Sequence, residues 1–127
     1  MQQSVPPNPQ AYYEQVWQLV RQVPAGLVVT YGQVAQLIPP PPAVDPAEYK
    51  AFGPRWVGSA MAACPPDVPW QRVINSQGKI SDRAGAVQQR QLLEAEGITF
   101  VNEKIDLKRY QWLGPGHEEQ PRQARLL

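Results

Sequence analysis

Fifteen prolines among 127 residues predict short helices separated by firm breaks. A locked φ and a missing N–H let proline open a helix but not sit easily inside one. Asn8-Pro9 is such an opening, with asparagine as N-cap and proline at the first helical position. Tyr13, Val16, Trp17, Val20 and Val23 follow at the spacing of an amphipathic helix, which Pro24-Ala25-Gly26 ends. Thr30 with Gln33 has the form of a capping box and opens a second short helix over 31–38, with Val34, Ala35, Leu37 and Ile38 inward. The run Pro39 to Pro42 stops it. Residues 39–53 read as a proline-rich loop with one helical turn around 48–52, and Pro54 as the start of a third helix over 55–63. Val57, Ala60 and Met61 are its expected buried side.

Beyond that helix, Pro65, Pro66 and Pro69 keep 64–71 as a loop. Residues 72–75 read as extended and Ser76-Gln77-Gly78 as a turn. After the polar stretch 81–85 a helix runs to about Glu96, closed by Gly97, and short strands are expected at 98–101 and 105–107. The pattern predicts one mainly α domain with a short β hairpin over 9–113, a flexible start over 1–8 and a mobile tail over 114–127. The helices flanking the proline-rich loop suit a helix-turn-helix, although such a connector usually has only three or four residues.

Composition removes several function classes. Cys64 and His117 are the only residues of their kinds, so no disulfide framework, cysteine-rich zinc site or histidine-rich metal centre is expected. No basic start leads into an apolar core and no apolar run approaches a membrane span, which predicts a cytoplasmic protein without a membrane partner. The net charge of +1 hides an uneven distribution. Over residues 51–91, Arg55, Arg72, Lys79, Arg83 and Arg90 face only Asp67 and Asp82, a local basic excess suited to phosphate.

The stretch Val68-Pro69-Trp70-Gln71-Arg72-Val73-Ile74-Asn75-Ser76 resembles the Pro-Cys-His-Arg-Val active-site signature of the O6-alkylguanine-DNA alkyltransferases. Val29-Thr30-Tyr31-Gly32-Gln33-Val34-Ala35 is similar to that family's first DNA-binding helix, and Arg55-Trp56-Val57-Gly58-Ser59-Ala60-Met61 to its recognition helix. Glu94-Ala95-Glu96-Gly97 resembles the close of its last helix. The resemblance implies a winged helix-turn-helix-like domain of the alkyltransferase C-terminal type. It also implies a site from which the chemistry has gone. Trp70 stands at the position of the nucleophilic cysteine and Gln71 at that of the relay histidine. An indole is no nucleophile at neutral pH, and an amide is no general base. Tryptophan there marks the alkyltransferase-like subfamily, whose members bind alkylated guanine without repairing it and pass it to nucleotide excision repair.

The resemblance assigns roles residue by residue. Arg55 matches an arginine finger that fills the hole left by an extruded nucleotide, a task suited to a planar, permanently charged group. Tyr31 matches the tyrosine that crowds the flipped nucleotide. Gly58 and Ser59 permit close approach of the recognition helix to a groove. Trp70, Val73, Arg83 and Ala84 complete a lesion pocket: an aromatic wall, a backbone carbonyl, a cation over the purine face and a backbone N–H. Arg72 reads as structural, and Cys64 as a small hydrophobe. The expected partners are double-stranded DNA carrying O6-alkylguanine and nucleotide excision repair proteins, with a monomeric chain, no enzymatic activity, no cofactor and no metal. Two alternatives stay open: a helix-turn-helix transcriptional regulator indifferent to alkylation, and a transferase acting through Cys64.

Overall fold

A computed structural model describes residues 5–117; the parts of the expected flexible start and tail at 1–4 and 118–127 lie outside the described residues. Helix α1, Pro9–Val20, begins as its sequence dictates, the Asn8 side chain accepting from the Ala11 N–H. Of the two adjacent tyrosines, Tyr12 is buried and Tyr13 only half-buried, so the apolar stripe starts one residue earlier than expected. Strand β1, Val29–Thr30, leads directly into α2, Tyr31–Leu37. Thr30 caps this helix by accepting from the Gln33 N–H. The reciprocal half of the expected box does not form: the Gln33 amide donates instead to the Trp112 carbonyl, and its oxygen accepts from Gln111. Leu37, expected inward, is 40% exposed, because the helix ends there.

The largest departure is α3, Pro46–Ala62, a single 17-residue helix that absorbs the second half of the expected loop. Asp45 caps it through the Ala47 N–H, and Pro46 occupies its first turn. Pro54 therefore lies inside the helix instead of opening it. Its missing N–H costs the bond to the Lys50 carbonyl, and tertiary packing offsets the loss. The Tyr49 hydroxyl donates to the Ala35 carbonyl at 2.7 Å and accepts from Tyr12 at 2.9 Å, tying the new part of α3 to α2 and α1 at once. Tyr12, Tyr49 and Trp56 pack edge-on or tilted at centroid distances of 5.6 to 6.1 Å. Gly53 permits the crossing, since a Cβ there would lie 3.0 Å from the Ala35 Cβ.

A 3-10 turn, Trp70–Arg72, feeds β2, Val73–Ile74, which pairs parallel with β1 in the register Val29↔Val73 and Thr30↔Ile74. Residue 72 thus belongs to the turn and not to the strand. Helix α4, Ala86–Ala95, starts at Gly85 and ends with Gly97 in the left-handed conformation, as expected. The hairpin is real but short: β3, Phe100–Val101, pairs antiparallel with β4, Lys104–Ile105, around Asn102 and Glu103 at positive φ. A one-turn helix α5, Leu107–Tyr110, follows; strand was expected to reach Leu107, and no element beyond it. The chain then returns to β1: the Val28 N–H donates to the Tyr110 carbonyl and the Trp112 N–H to the Val28 carbonyl, both at 2.8 Å. Two apolar clusters result. The larger lies among α1, α2 and α3, the smaller under α4 and the hairpin.

Gly53 and Gly58 give a clean comparison, because both lie in α3 and no atom is within 4 Å of a Cβ at Gly58. Alanine gains the same helix propensity at each, so the difference isolates the clash with Ala35. Gly53→Ala should be less stable than Gly58→Ala by about 1–3 kcal/mol in urea unfolding, the usual range for overpacking. Equal stabilities would mean that the α2–α3 contact is not close.

Candidate nucleic-acid interface

The residues expected at the site come from α2, α3, the 3-10 turn, β2 and the loop before α4, and the structure joins two of their side chains, Tyr31 and Arg83. Tyr31 opens α2 with its ring half-buried against the larger apolar cluster. Arg83, in the exposed loop before α4, donates from Nη2 to the Tyr31 hydroxyl at 2.9 Å. Two side chains far apart in sequence thereby meet at one place. Ala84 is exposed, and its N–H donates to no atom among the described residues. Arg55 is exposed on α3, and its guanidinium has no hydrogen-bond or ion-pair partner among the described residues. Gly58 leaves open space beside it on the same helix, and the Ser59 hydroxyl donates weakly to the Arg55 carbonyl at 3.4 Å.

Trp70 is half-buried in the 3-10 turn, against the larger cluster. Its carbonyl accepts from the Val73 N–H, and the Val73 carbonyl accepts from the Gln89 amide at 3.0 Å. The same amide donates to the Gln71 carbonyl at 3.1 Å. Gln89 is 2% exposed, so α4 grips the turn that carries Trp70 through a buried side chain. Nothing in the motif announced this residue. Its one sequence signal is a glutamine four residues before Leu93, on the inward face of a helix.

Behind the turn lies a second clamp. The Arg72 Nε donates to both Glu96 carboxylate oxygens at 3.0 and 3.1 Å, and its Nη1 donates to the Val23 carbonyl. Gln71 donates to Glu96 at 2.8 Å and the Gly26 N–H at 3.1 Å. Burial alone would raise the Glu96 carboxyl, but the Arg72 bonds, then those from Gln71 and Gly26, outweigh it and hold the carboxyl below its ordinary value. Glu96 is thus fully engaged as an ionised anchor. Cys64 is half-buried, and burial pushes its thiol up.

The basic excess counted in the sequence is smaller in space. Arg72 is consumed by Glu96, while Arg90 pairs with Glu94 and Glu103 and lies 4.6 Å over the Phe100 ring. Arg55, Lys79 and Arg83 keep no carboxylate partner among the described residues. Among those residues no cluster of histidine, cysteine, aspartate or glutamate could hold a metal ion, and no helix is long and apolar enough to cross a membrane.

Comparison with known proteins places this arrangement. Residues 11–98 match the family described as 6-O-methylguanine DNA methyltransferase, DNA binding domain. The chain is similar to a DNA base-flipping protein of Vibrio parahaemolyticus, 42% identical over 103 residues, covering 77% of this chain and 92% of that one. It is also similar to alkyltransferase-like protein 1 of Schizosaccharomyces pombe, at 39% identity over 80% of this chain and 94% of the relative. Among solved structures, that of S. pombe Atl1 in complex with damaged DNA containing O6-carboxymethylguanine superposes with a TM-score of 0.66 at 34% identity, covering 81% of this chain and 95% of that one.

The Arg72–Glu96 clamp makes an acid-dependent prediction. A carboxyl held below its ordinary value contributes stability that is complete above the unfolded value and is lost as pH falls through the folded one. Urea unfolding from neutral pH downward should show stability falling below about pH 4.5, and Glu96→Gln should flatten that decline. Arg72→Ala, which leaves a largely buried carboxylate unpaired, should cost about 2–4 kcal/mol at neutral pH. An acid limb unchanged in Glu96→Gln would remove Glu96 as its source.

Proposed function

Because the chain belongs to the 6-O-methylguanine DNA methyltransferase DNA-binding family and shares its mainly helical helix-turn-helix fold, we propose that it is a non-enzymatic sensor of O6-alkylguanine in duplex DNA. In this reading it flips the lesion out of the helix and marks it for nucleotide excision repair. The observation that carries the reading is Trp70, standing at the motif's nucleophile position in a turn clamped by Gln89, Arg72 and Glu96. An indole cannot displace an alkyl group, and Gln71, bonded to Glu96, cannot relay a proton. The names of the relatives support the same direction: one is a DNA base-flipping protein, another an alkyltransferase-like protein.

The residues then take these tasks. The recognition part of α3 enters the minor groove with its small residues Gly58 and Ser59 toward the DNA. Arg55, whose guanidinium has no partner among the described residues, fills the gap in the base stack. Tyr31 and Arg83 receive the extruded base, the guanidinium over its face. The Ala84 N–H meets the alkylated oxygen, and Trp70 offers apolar area to the alkyl group. The Val73 carbonyl shares its lone pairs between Gln89 and the guanine amine. The chain acts as a monomer and needs no cofactor. A route through Cys64 gains nothing from the structure, since a raised thiol pKa lowers the thiolate fraction.

One titration tests the reading. Matched duplexes with and without a single O6-methylguanine are bound by the protein, and both components are then weighed. Tighter binding of the damaged duplex with unchanged masses is expected; equal affinities would sink the sensor, and a mass gain on the protein would reveal a transferase. Within the same assay, Arg83→Ala should lower the preference for the lesion by about fivefold, the worth of one exposed cation–π contact. Gly58→Val should weaken both complexes without loss of fold, because nothing surrounds that position. Undiminished binding by Gly58→Val would take α3 out of the groove.

A further inference from the structure

The proline-rich connector and the early turns of α3 build a feature that the proposed roles leave unused. Between α2 and α3 lies a cavity of about 420 Å³, walled by four prolines and floored by Tyr49. Lys50 is the only charged residue on its lining, and it is exposed with no hydrogen-bond or ion-pair partner among the described residues. The acidic residues of the same turns are elsewhere: Asp45 accepts from the Ala47 N–H, and neither it nor Glu48 lines the cavity. At its rim stand Gly32 and Pro54, each one residue from a proposed DNA contact, Tyr31 and Arg55. No atom lies within 4 Å of a Cβ at Gly32, so the entrance beside Tyr31 is open.

These walls are mostly apolar, with Gln36 the one uncharged polar chain besides the Tyr49 phenol, and their single charge is positive. The chemistry that fits is a unit with an apolar, ring-shaped body and an attached anion. We propose that this slot seats one deoxyribose-phosphate of the DNA backbone, the sugar against the proline rings and the phosphate on the Lys50 ammonium. The site rests on the DNA-binding reading and lengthens its footprint along α3 toward Pro46. Tyr49 positions it: its hydroxyl bond to the Ala35 carbonyl holds the lysine-bearing turn against α2. A phosphate contact of this kind fixes register and carries no sequence or lesion information. Its contribution is therefore equal for damaged and intact duplexes.

The test is the salt dependence of binding. Each neutralised phosphate contributes about 0.9 to the slope of log affinity against log salt. Lys50→Ala should reduce the slope by about 0.9 on duplexes with and without O6-methylguanine, leaving the ratio of the two affinities unchanged. Between 50 and 200 mM salt it should lose about three- to fourfold less affinity than the unsubstituted protein. Lys50→Arg should keep the full slope. Thermal melts of both variants should match the parent, since the residue is exposed. Methylphosphonates placed one at a time along the duplex should reveal one position that weakens the parent but not Lys50→Ala. A parent-like slope for Lys50→Ala on DNA that the parent binds overturns this site alone, including the case in which an acidic protein segment occupies it. Failure of the parent to bind either duplex overturns the DNA reading as well.

Discussion

The Glu96 carboxylate is the point on which the rest of the site is hung. Three segments end on it: the close of α4 that carries it, the 3-10 turn through Gln71 and Arg72, and the loop after α1, through the Gly26 N–H and, across Arg72, the Val23 carbonyl. A buried carboxylate is tolerable only when its charge and its lone pairs are answered, and here every donor comes from a segment that has to be placed. The bidentate guanidinium adds direction as well as charge, because a planar fork fits a carboxylate in few orientations. The turn bearing Trp70 is therefore held from outside, by this ion pair and by the Gln89 amide. Bonded to Gln71, Arg72 and Gly26, this carboxylate serves architecture.

The second dependency lies on the other side of the molecule. Helix α3 presents Arg55 and Gly58 to solvent only because its opposite face is fixed by Tyr49, Gly53, Trp56 and Val57. Tyr49 bonds to the Ala35 carbonyl while accepting from Tyr12, so a single hydroxyl gives α1, α2 and α3 a common register. Burial keeps both phenols protonated, and each remains a donor. Gly53 and Gly58 illustrate two uses of a missing side chain in one helix. The first admits a neighbouring helix; the second leaves open space, among the described residues, where its Cβ would lie.

Local signals in the sequence were reliable wherever the determining contact is itself local. Asn8-Pro9, Thr30, Gly85 to Gly97 and the hairpin behave as their residues require, since caps and turns are settled within four or five positions. Pro54 misleads because the same ring that favours a helix start is survivable inside a helix when tertiary packing compensates, and that packing, from Tyr12 and Ala35, is remote. Tyr12 and Tyr13 differ by one residue, or 100° of helix, which a hydrophobic pattern with tyrosines at both places cannot resolve. The parallel pairing of Val29 with Val73 and the diversion of Gln33 to Trp112 are likewise products of closure. At the site, the proximity of Tyr31 and Arg83 was legible from motif. The clamp from Gln89 was not, nor the loss of Arg72 and Arg90 from the positive patch, because ion pairing depends on which acids fold against which bases.

The return of the chain to β1 bears on where this unit ends. The family match closes at residue 98, yet Val28 exchanges backbone bonds with Tyr110 and Trp112, and the start of α2 is tied to Trp112 through Gln33. Trp112 is itself 4% exposed within the larger apolar cluster. Those fourteen or so further residues (roughly one hairpin and one helical turn) are therefore a third rail of the central strand pair, and the smallest self-sufficient folding unit reaches at least to Trp112. Any excision, splice or fusion joint belongs beyond that indole, because a cut nearer the family boundary strips the outer edge of β1 and unfastens the helix that opens with Tyr31.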